Sequence, residues 1–288
     1  MKTEMTPATL LNNRKNTLLG ALLFLFCLLY LFPAYIVLVN SFKNRAELYE
    51  NVLAFPKTFS FQYYANAMRR MNFLQALFNS LAVTVVSLFF VVVLSSMCAW
   101  MLVRRNTRLS RFIFMVFVTT MLIPFQTLMM PLMQVMGGAK NALGLPMIDT
   151  LGALVYMNIG FGASMAVFLF HGFIKSVPLS LEEAATIDGC SCWGVFWRVV
   201  FPLLKPVTVT VMVLDVIWIW NDYLLPSLVL TSKANRTIPL STASFFGEFT
   251  IQWNMAMAGL MLTIIPVILF YIFSQKYIIK GVAAGAVK

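Results

Sequence analysis

The sequence predicts an all-α, polytopic membrane protein with about six transmembrane helices, on three observations. Of its 288 residues 60% are hydrophobic and 11% charged, where soluble domains carry about 25% charged residues. The apolar residues gather into six runs (Leu18–Asn40, Ala76–Val103, Phe112–Met136, Thr150–Ile174, Pro206–Leu230 and Met255–Ile279), each as long as the roughly 20 residues a bilayer-crossing helix needs. Lys and Arg are also shared unevenly between alternate connections, as the positive-inside rule requires. With the N-terminus inside, thirteen of the 21 basic residues fall on the cytoplasmic side, and the short segment with Arg104, Arg105, Arg108 and Arg111 decides the orientation. Both termini are expected in the cytoplasm. The net charge of +11 then belongs to the membrane surface and not to nucleic acid.

Taken in order, residues 1–16 read as a flexible cytoplasmic tail. Residues 17–74 carry the first span and an external loop. That span is expected to stay in the protein, because its apolar run outlasts a signal-peptide core and no small-residue cleavage site follows. Pro33 is tolerable there, since neighbouring helices re-satisfy the freed carbonyl. The loop mixes charge with Tyr49, Phe55, Phe59, Phe61, Tyr63 and Tyr64, an interfacial aromatic belt with a short helix lying on the membrane, or a contact for an extracellular partner.

Residues 75–280 form the five-helix core. Its first span opens at Asn79-Ser80 and holds Ser87, Ser95 and Ser96, small polar groups suited to helix contact in lipid. In the next, Pro124, Gln126 and Pro131 predict a kink or break, and Gly137-Gly138 is expected to end it. Gly152, Gly160, Gly162, Ala163 and Ser164 then allow close backbone approach. The fifth span of the chain carries Asp215, Trp218, Asn221, Asp222 and Tyr223. Positions 215, 218 and 222 share a helix face, and carboxylates in a membrane face a cavity or a partner. They are candidates for the lining of a solute path, with Asp and Asn accepting hydroxyl protons, or for an interhelical hydrogen-bond network; Asn221 and Asp222 alternatively fix the helix end. The Thr231–Asn254 loop is long enough to reach a soluble partner or fold back over a pore. Lys276 and Lys280 anchor the last span, and residues 281–288 form a tail against a cytoplasmic surface.

Between the fourth and fifth spans lies a polar, aromatic hairpin, residues 178–203. Ser180 and Glu183 have capping-box spacing. Leu181, Ala184, Ala185 and Asp188 fall on one helix face, Gly189 turns the chain, and Trp193, Phe196, Trp197 and Val200 form an aromatic stripe closed by Pro202. Cys190 and Cys192 lie here and Cys27 and Cys98 in spans, so no disulfide is expected in a reducing compartment. The chain's one histidine, His171, leaves no metal-ligand set. No phosphate loop of the G-x-x-x-x-G-K-[ST] type is present, so the chain is not expected to bind ATP by the usual means.

Three stretches carry a family resemblance. Glu183-Ala184-Ala185 followed by Gly189 and Val199-x-Phe201-Pro202 resembles the EAA loop of ABC importer permeases; Ile219–Pro226, IWNDYLLP, resembles the fifth-span signature of sugar permeases; and Tyr277–Lys288, YIIKGVAAGAVK, resembles their C-terminal tail. Ser41-Phe42-Lys43 and Asn79-Ser80 extend the likeness over almost the whole chain. The chain thus resembles a permease subunit of a carbohydrate-type ABC importer, of the maltose and multiple-sugar group. The resemblance implies a type I importer transmembrane domain in a bacterial cytoplasmic membrane, with no cofactor on this chain. It also implies as partners two ABC ATPase subunits that carry ATP and Mg, a second, non-identical permease, and an extracytoplasmic sugar-binding protein. The coupling surface it implies is Glu182, Glu183, Ala184, Ala185, Asp188, Gly189, Trp193, Phe196 and Pro202, with Trp193 toward the ATPase and Trp197 toward its own bundle. Two other readings are weaker. An ion-coupled secondary transporter using Asp215, Asp222 and His171 lacks evident inverted repeats, and a membrane enzyme built on the same residues lacks any catalytic motif.

Overall fold

The computed structural model describes residues 7–247 and 252–286, which fall into two compact units, Met1–Arg70 with Phe245–Ile264 and Met71–Ser244 with Ile265–Lys288. In the first unit, α1 (Pro7–Asn40) begins well before the expected span. Pro7 sits where a missing N–H costs nothing and no breaker follows until Gly20, so residues 7–16 are helical and not a free tail. The side chains described along Asn16–Phe32 are exposed around the whole circumference, the signature of a helix whose surroundings are apolar on every side.

The chain after α1 folds back on itself. The Lys43 ammonium is buried and donates to Asn40 Oδ1 (3.0 Å), Asn51 O (2.9 Å) and Val52 O (3.3 Å), and that burial lowers its pKa against the opposing pull of Glu47. Asn44 caps α2 (Arg45–Glu50). Phe42 then gathers Phe59, Phe61 and Tyr64 at 5.3–5.4 Å beside α3 (Gln62–Arg70). The aromatic loop therefore gathers into a cluster of its own, with Phe59 and Phe61 still exposed.

In the second unit α4 (Phe73–Arg105) and α7 (Leu151–Ile174) pack along their length and run parallel. Their first turns flank one segment, 231–238, and their last turns meet one hairpin. Ser87, Ser95 and Ser96 are buried on α4. A Cβ on Gly162 of α7 would lie 3.2 Å from Val91 Cγ2, so the glycine is what allows this approach.

α5 (Arg108–Thr120) returns along α7 and breaks before Pro124, and α6 (Phe125–Leu143) leaves at 109°. Gly137-Gly138 does not end α6, because nothing there forces a left-handed residue; Gly144, at φ +66°, ends it. The hairpin helices α8 (Ser180–Ile187), α9 (Cys192–Val195) and α10 (Phe201–Leu203) precede α11 (Lys205–Asn221), α12 (Leu224–Val229) and α13 (Ile238–Ala243). α14 (Trp253–Ala286) is the last helix. Residues 281–286, expected as a tail, continue it, since the Ala-rich run contains no proline. Residues 287 and 288 lie outside the described residues.

Among the described residues four helices are long and apolar enough to cross a membrane, and the number rises to six when each bent pair, Arg108–Thr120 with Phe125–Leu143 and Cys192–Leu203 with Lys205–Asn221, counts as one span.

Candidate functional site: a hairpin and a cavity

The hairpin starts differently from its sequence signature. Ser180 is already helical, and the cap position is Leu179, which makes no side-chain cap bond. The Ser180–Glu183 capping box is therefore not formed. Pro178 and Leu179 instead shape the first turn, with Leu179 O accepting from Glu182 N (2.9 Å) and Glu183 N (3.1 Å). α8 ends in a Schellman motif: Gly189, at φ +84°, donates to Thr186 O (3.1 Å) and Cys190 N to Ala185 O (3.0 Å), the geometry that favours glycine. Ser191 Oγ then accepts from Gly194 N (3.2 Å) and caps α9.

Two residues expected on the docking surface point inward. Glu182 is 6% exposed. Its carboxylate accepts from Arg104 Nε (2.9 Å) and Trp100 Nε1 (2.9 Å), with Arg104 Nη2 at 2.7 Å, and Arg104 also donates to Val177 O (3.0 Å). Phe196 is 1% exposed, against Trp100 (5.4 Å), Trp197 (5.0 Å) and Phe201 (5.8 Å). The aromatic stripe splits because its four residues form two rows of i, i+4 neighbours. Phe196 and Val200 are buried while Trp193 and Trp197 lie on the exposed side, and a π-helical turn over Phe196–Val200 widens the helix between the rows. Trp197 stacks edge-on to Phe201 at 5.1 Å, within its own bundle. Facing out are Glu183, Ala184, Asp188 and Pro202, with Ile187 86% and Trp193 63% exposed; Ala185 is half-buried.

The second feature is a cavity of about 930 Å³ walled by α5, α6, α7 and α11. Asp215 is 4% exposed, lines it with Trp218, and its Oδ2 has no hydrogen-bond partner among the described residues. On the facing helices Thr120 Oγ1 and Ser164 Oγ pair at 2.8 Å, and Tyr156 and Met residues complete the wall.

The rest of the fifth-span set does not join them. α11 ends at Asn221, and Asp222 adopts an extended ψ of 124°. Its Oδ1 accepts from Leu224 N (2.9 Å) and Leu225 N (3.4 Å) at the start of α12. Asn221 donates to Ile217 O (2.7 Å) and lines a different, apolar cavity; Tyr223 lines neither. The i, i+3, i+7 face breaks because the helix stops one residue short of it. Nor are Asp215, Asp222 and His171 brought to one place, since His171 lines a third cavity, at the end of α7.

Sequence reasoning missed the fastening of the opposite end. Asn79 Nδ2 donates to Ala234 O (2.8 Å) and Arg236 O (3.0 Å), and Ile238 N donates to Ser80 Oγ (2.8 Å). Asp149 Oδ1 accepts from Thr231 N (3.0 Å), Ser232 N (2.9 Å) and Ser232 Oγ (3.0 Å). These bonds, the Ser232 N–H foremost, hold the Asp149 carboxyl below its usual pKa against partial burial. Residues 231–244 therefore fold back onto α4 and α7, while 248–251 of the same loop lie outside the described residues. An Asp one residue before a Thr helix cap was the available signal.

Residues 91–284 match the family described as binding-protein-dependent transport system inner membrane component. The chain is 44% identical over 272 residues to the "Probable starch degradation products transport system permease protein AmyC" of Thermoanaerobacterium thermosulfurigenes, covering 94% of this chain and 96% of the relative. It is 32% identical over 257 residues to the "Melibiose/raffinose/stachyose import permease protein MelC" of Bacillus subtilis (strain 168), covering 89% and 91%. In fold it is similar to a chain in the crystal structure of a bacterial ABC transporter involved in the import of the acidic polysaccharide alginate, at a TM-score of 0.76, with 21% identity over 96% of this chain and 99% of that one.

Proposed function

The chain belongs to the family of binding-protein-dependent transport system inner membrane components, and from that premise we propose that it is the permease subunit of an ATP-driven oligosaccharide importer. It is a multi-pass transport subunit of the type I importer fold and not an enzyme. Relatives named for starch degradation products and for melibiose, raffinose and stachyose support an oligosaccharide as the solute.

The observation that carries the reading is the hairpin. Its Glu183-Ala184-Ala185…Gly189 stretch leaves Glu183, Ala184 and Asp188 exposed beside Ile187 and Trp193, on a helix fastened from behind by Glu182 to Arg104 and Trp100. A surface that is free in front and fixed behind passes on a push. In this mechanism two ABC ATPase subunits, holding ATP and Mg, close on the hairpins of this chain and of a second, non-identical permease. α8 moves, the Arg104–Glu182 joint carries the motion into α4, and rigid-body rocking of the helices opens the path outward; hydrolysis resets it. The hairpin and both termini face the cytoplasm in this arrangement. The fastened loop at the other end of α4 and α7 faces the sugar-binding protein. Asp215 and Trp218 wall the path, the carboxylate accepting a sugar hydroxyl and the indole face stacking on the ring.

The test is uptake by vesicles holding the assembled transporter, with ATP hydrolysis measured alongside. Glu183→Ala and Gly189→Val are expected to remain in the membrane and in the complex while hydrolysis continues without uptake. Normal uptake in both variants would remove the hairpin from the mechanism.

A further inference from the structure

His171 has no part in the transport reading, yet it sits in a built site. It is 8% exposed and stacks on Phe114 at 3.7 Å, and neither ring nitrogen has a hydrogen-bond partner among the described residues. It lines a cavity of about 440 Å³ between the last turn of α4, the first turns of α5 and the end of α7. Arg111 and Lys175 line the same cavity with Asn106 and Ser110, and no carboxylate does. Neither cation has an ion pair among the described residues; the nearby Arg104 is committed to Glu182. The positive end of α5, thirteen residues long, adds to the field at its first turn. Next to the basic groups of this hollow, α5 exposes Leu109, Phe112 and Met115, an apolar wall that continues away from the basic end along the helix.

Two unpaired cations, a buried imidazole and a helix N-terminus converge where an apolar wall begins. That combination suits an anion with acyl chains attached, and basic hollows between spans are places where anionic headgroups lodge. We propose that this cavity is a binding site for the phosphate headgroup of an anionic membrane lipid, held by Arg111, Lys175 and His171, with its acyl chains along Leu109, Phe112 and Met115. The fused polar and apolar walls set it apart from general attraction of basic loops to an anionic surface, because Arg105 and Arg108 are just as close in sequence and do not line it.

The experiment uses the assembled transporter, purified and titrated with phosphatidylglycerol or phosphatidylcholine, with bound lipid counted by native mass spectrometry. Phosphatidylglycerol is expected to be retained preferentially. Arg111→Gln with Lys175→Gln should weaken its retention roughly 25-fold, from about fivefold for each basic residue, and His171→Leu should weaken it by a smaller factor. The control, Arg105→Gln with Arg108→Gln, removes the same charge outside the cavity and should leave retention unchanged. The intact mass of the complex shows in each case that the variant has folded and assembled. Equal losses in the two double variants, or equal retention of phosphatidylcholine, would overturn the site. So would protection of Lys175 from acylation by inorganic phosphate alone as complete as that given by the lipid, which would make the ligand a free anion. Release of an ATPase subunit from the Arg111/Lys175 variant with lipid retention intact would reassign the cavity to a protein contact.

Discussion

Glu182 in the hairpin and Asp215 in the cavity are both acids almost wholly removed from solvent, 6% and 4% exposed, and they are treated in opposite ways. Glu182 meets a guanidinium and an indole N–H, and both of its oxygens are used. Asp215 keeps Oδ2 without a partner among the described residues. An acid taken out of water is costly unless paired, so the first arrangement can belong to a structural joint, whereas the second leaves an oxygen open to a partner from elsewhere. Burial alone does not distinguish these two acids; the completeness of their hydrogen bonding does. Among the described residues the Glu182 side is finished and the Asp215 side is not.

The largest expected effect on stability comes from breaking the finished side. Glu182→Ala leaves Arg104 facing a vacated, largely buried site. Removing one partner of such a pair costs about 3 kcal/mol, the lower end of its range because the Arg104 side chain is 19% exposed. Hydrogen exchange over residues 178–203 should rise many-fold, whereas Glu182→Gln, which keeps an acceptor for one donor, should fall between the variant and the parent. Unchanged exchange in Glu182→Ala would mean that the hairpin is held by packing around Phe196 and that the joint is incidental.

How much of this was legible in the sequence follows the range of the interactions. Six apolar runs, the turn at Gly189 and the break near Pro124 were readable, because each is set within a few residues by hydrophobicity, a left-handed φ or a missing N–H. The inward turn of Glu182 was not: it depends on Trp100 and Arg104, about 80 positions earlier, and adjacent glutamates look alike until something decides which faces inside. The same holds for Asp222. Its place on the 215/218 face required a helix one residue longer, and the Asx-type bonds to Leu224 and Leu225 compete with that extension. Residues 7–16 and 281–286 were read as tails from polarity or small side chains, although helix formation needs no apolar face where no proline intervenes.

Gly189→Val sharpens the comparison at the next level down. A Cβ there meets nothing within 4 Å, so the cost is confined to a left-handed backbone at φ +84° and amounts to about 1–2 kcal/mol. Thermal unfolding of the assembled complex should reflect that modest loss while the coupling of hydrolysis to uptake changes much more.

Asp149 extends the contrast to the far end of α4 and α7, where an acid is satisfied by backbone N–H groups in place of a cation. Asp149→Ala should loosen residues 231–244 by about 1 kcal/mol, read as faster hydrogen exchange confined to that segment. Because folding lowers the Asp149 pKa, its contribution is complete above the ordinary carboxylate range and is lost as pH falls through the lower folded value. The parent's exchange in 231–244 should therefore accelerate in acid, and that of the Asp149→Ala variant should show less of this dependence.

The smallest effect on stability is expected on the unfinished side. Asp215→Asn removes a charge from a buried position where Oδ2 has no donor to lose, and it is nearly isosteric, so neither a cavity nor an orphaned partner results. Unfolding should occur at the parent's temperature or above it, because a neutral amide is less costly to bury than a carboxylate. Transport should move the other way. If Asp215 accepts a solute hydroxyl, the variant retains a carbonyl acceptor but loses the charge that makes a hydrogen bond roughly twice as strong, and uptake should fall about tenfold for a loss of roughly 1.4 kcal/mol. Asp215→Leu, with no acceptor, should fall further at similar stability. A variant that is destabilised as much as Glu182→Ala with uptake per folded transporter preserved would show that Asp215 is a second joint, and the distinction between the two acids would be lost. Stability held with uptake reduced would place the missing partner of Oδ2 in the solute.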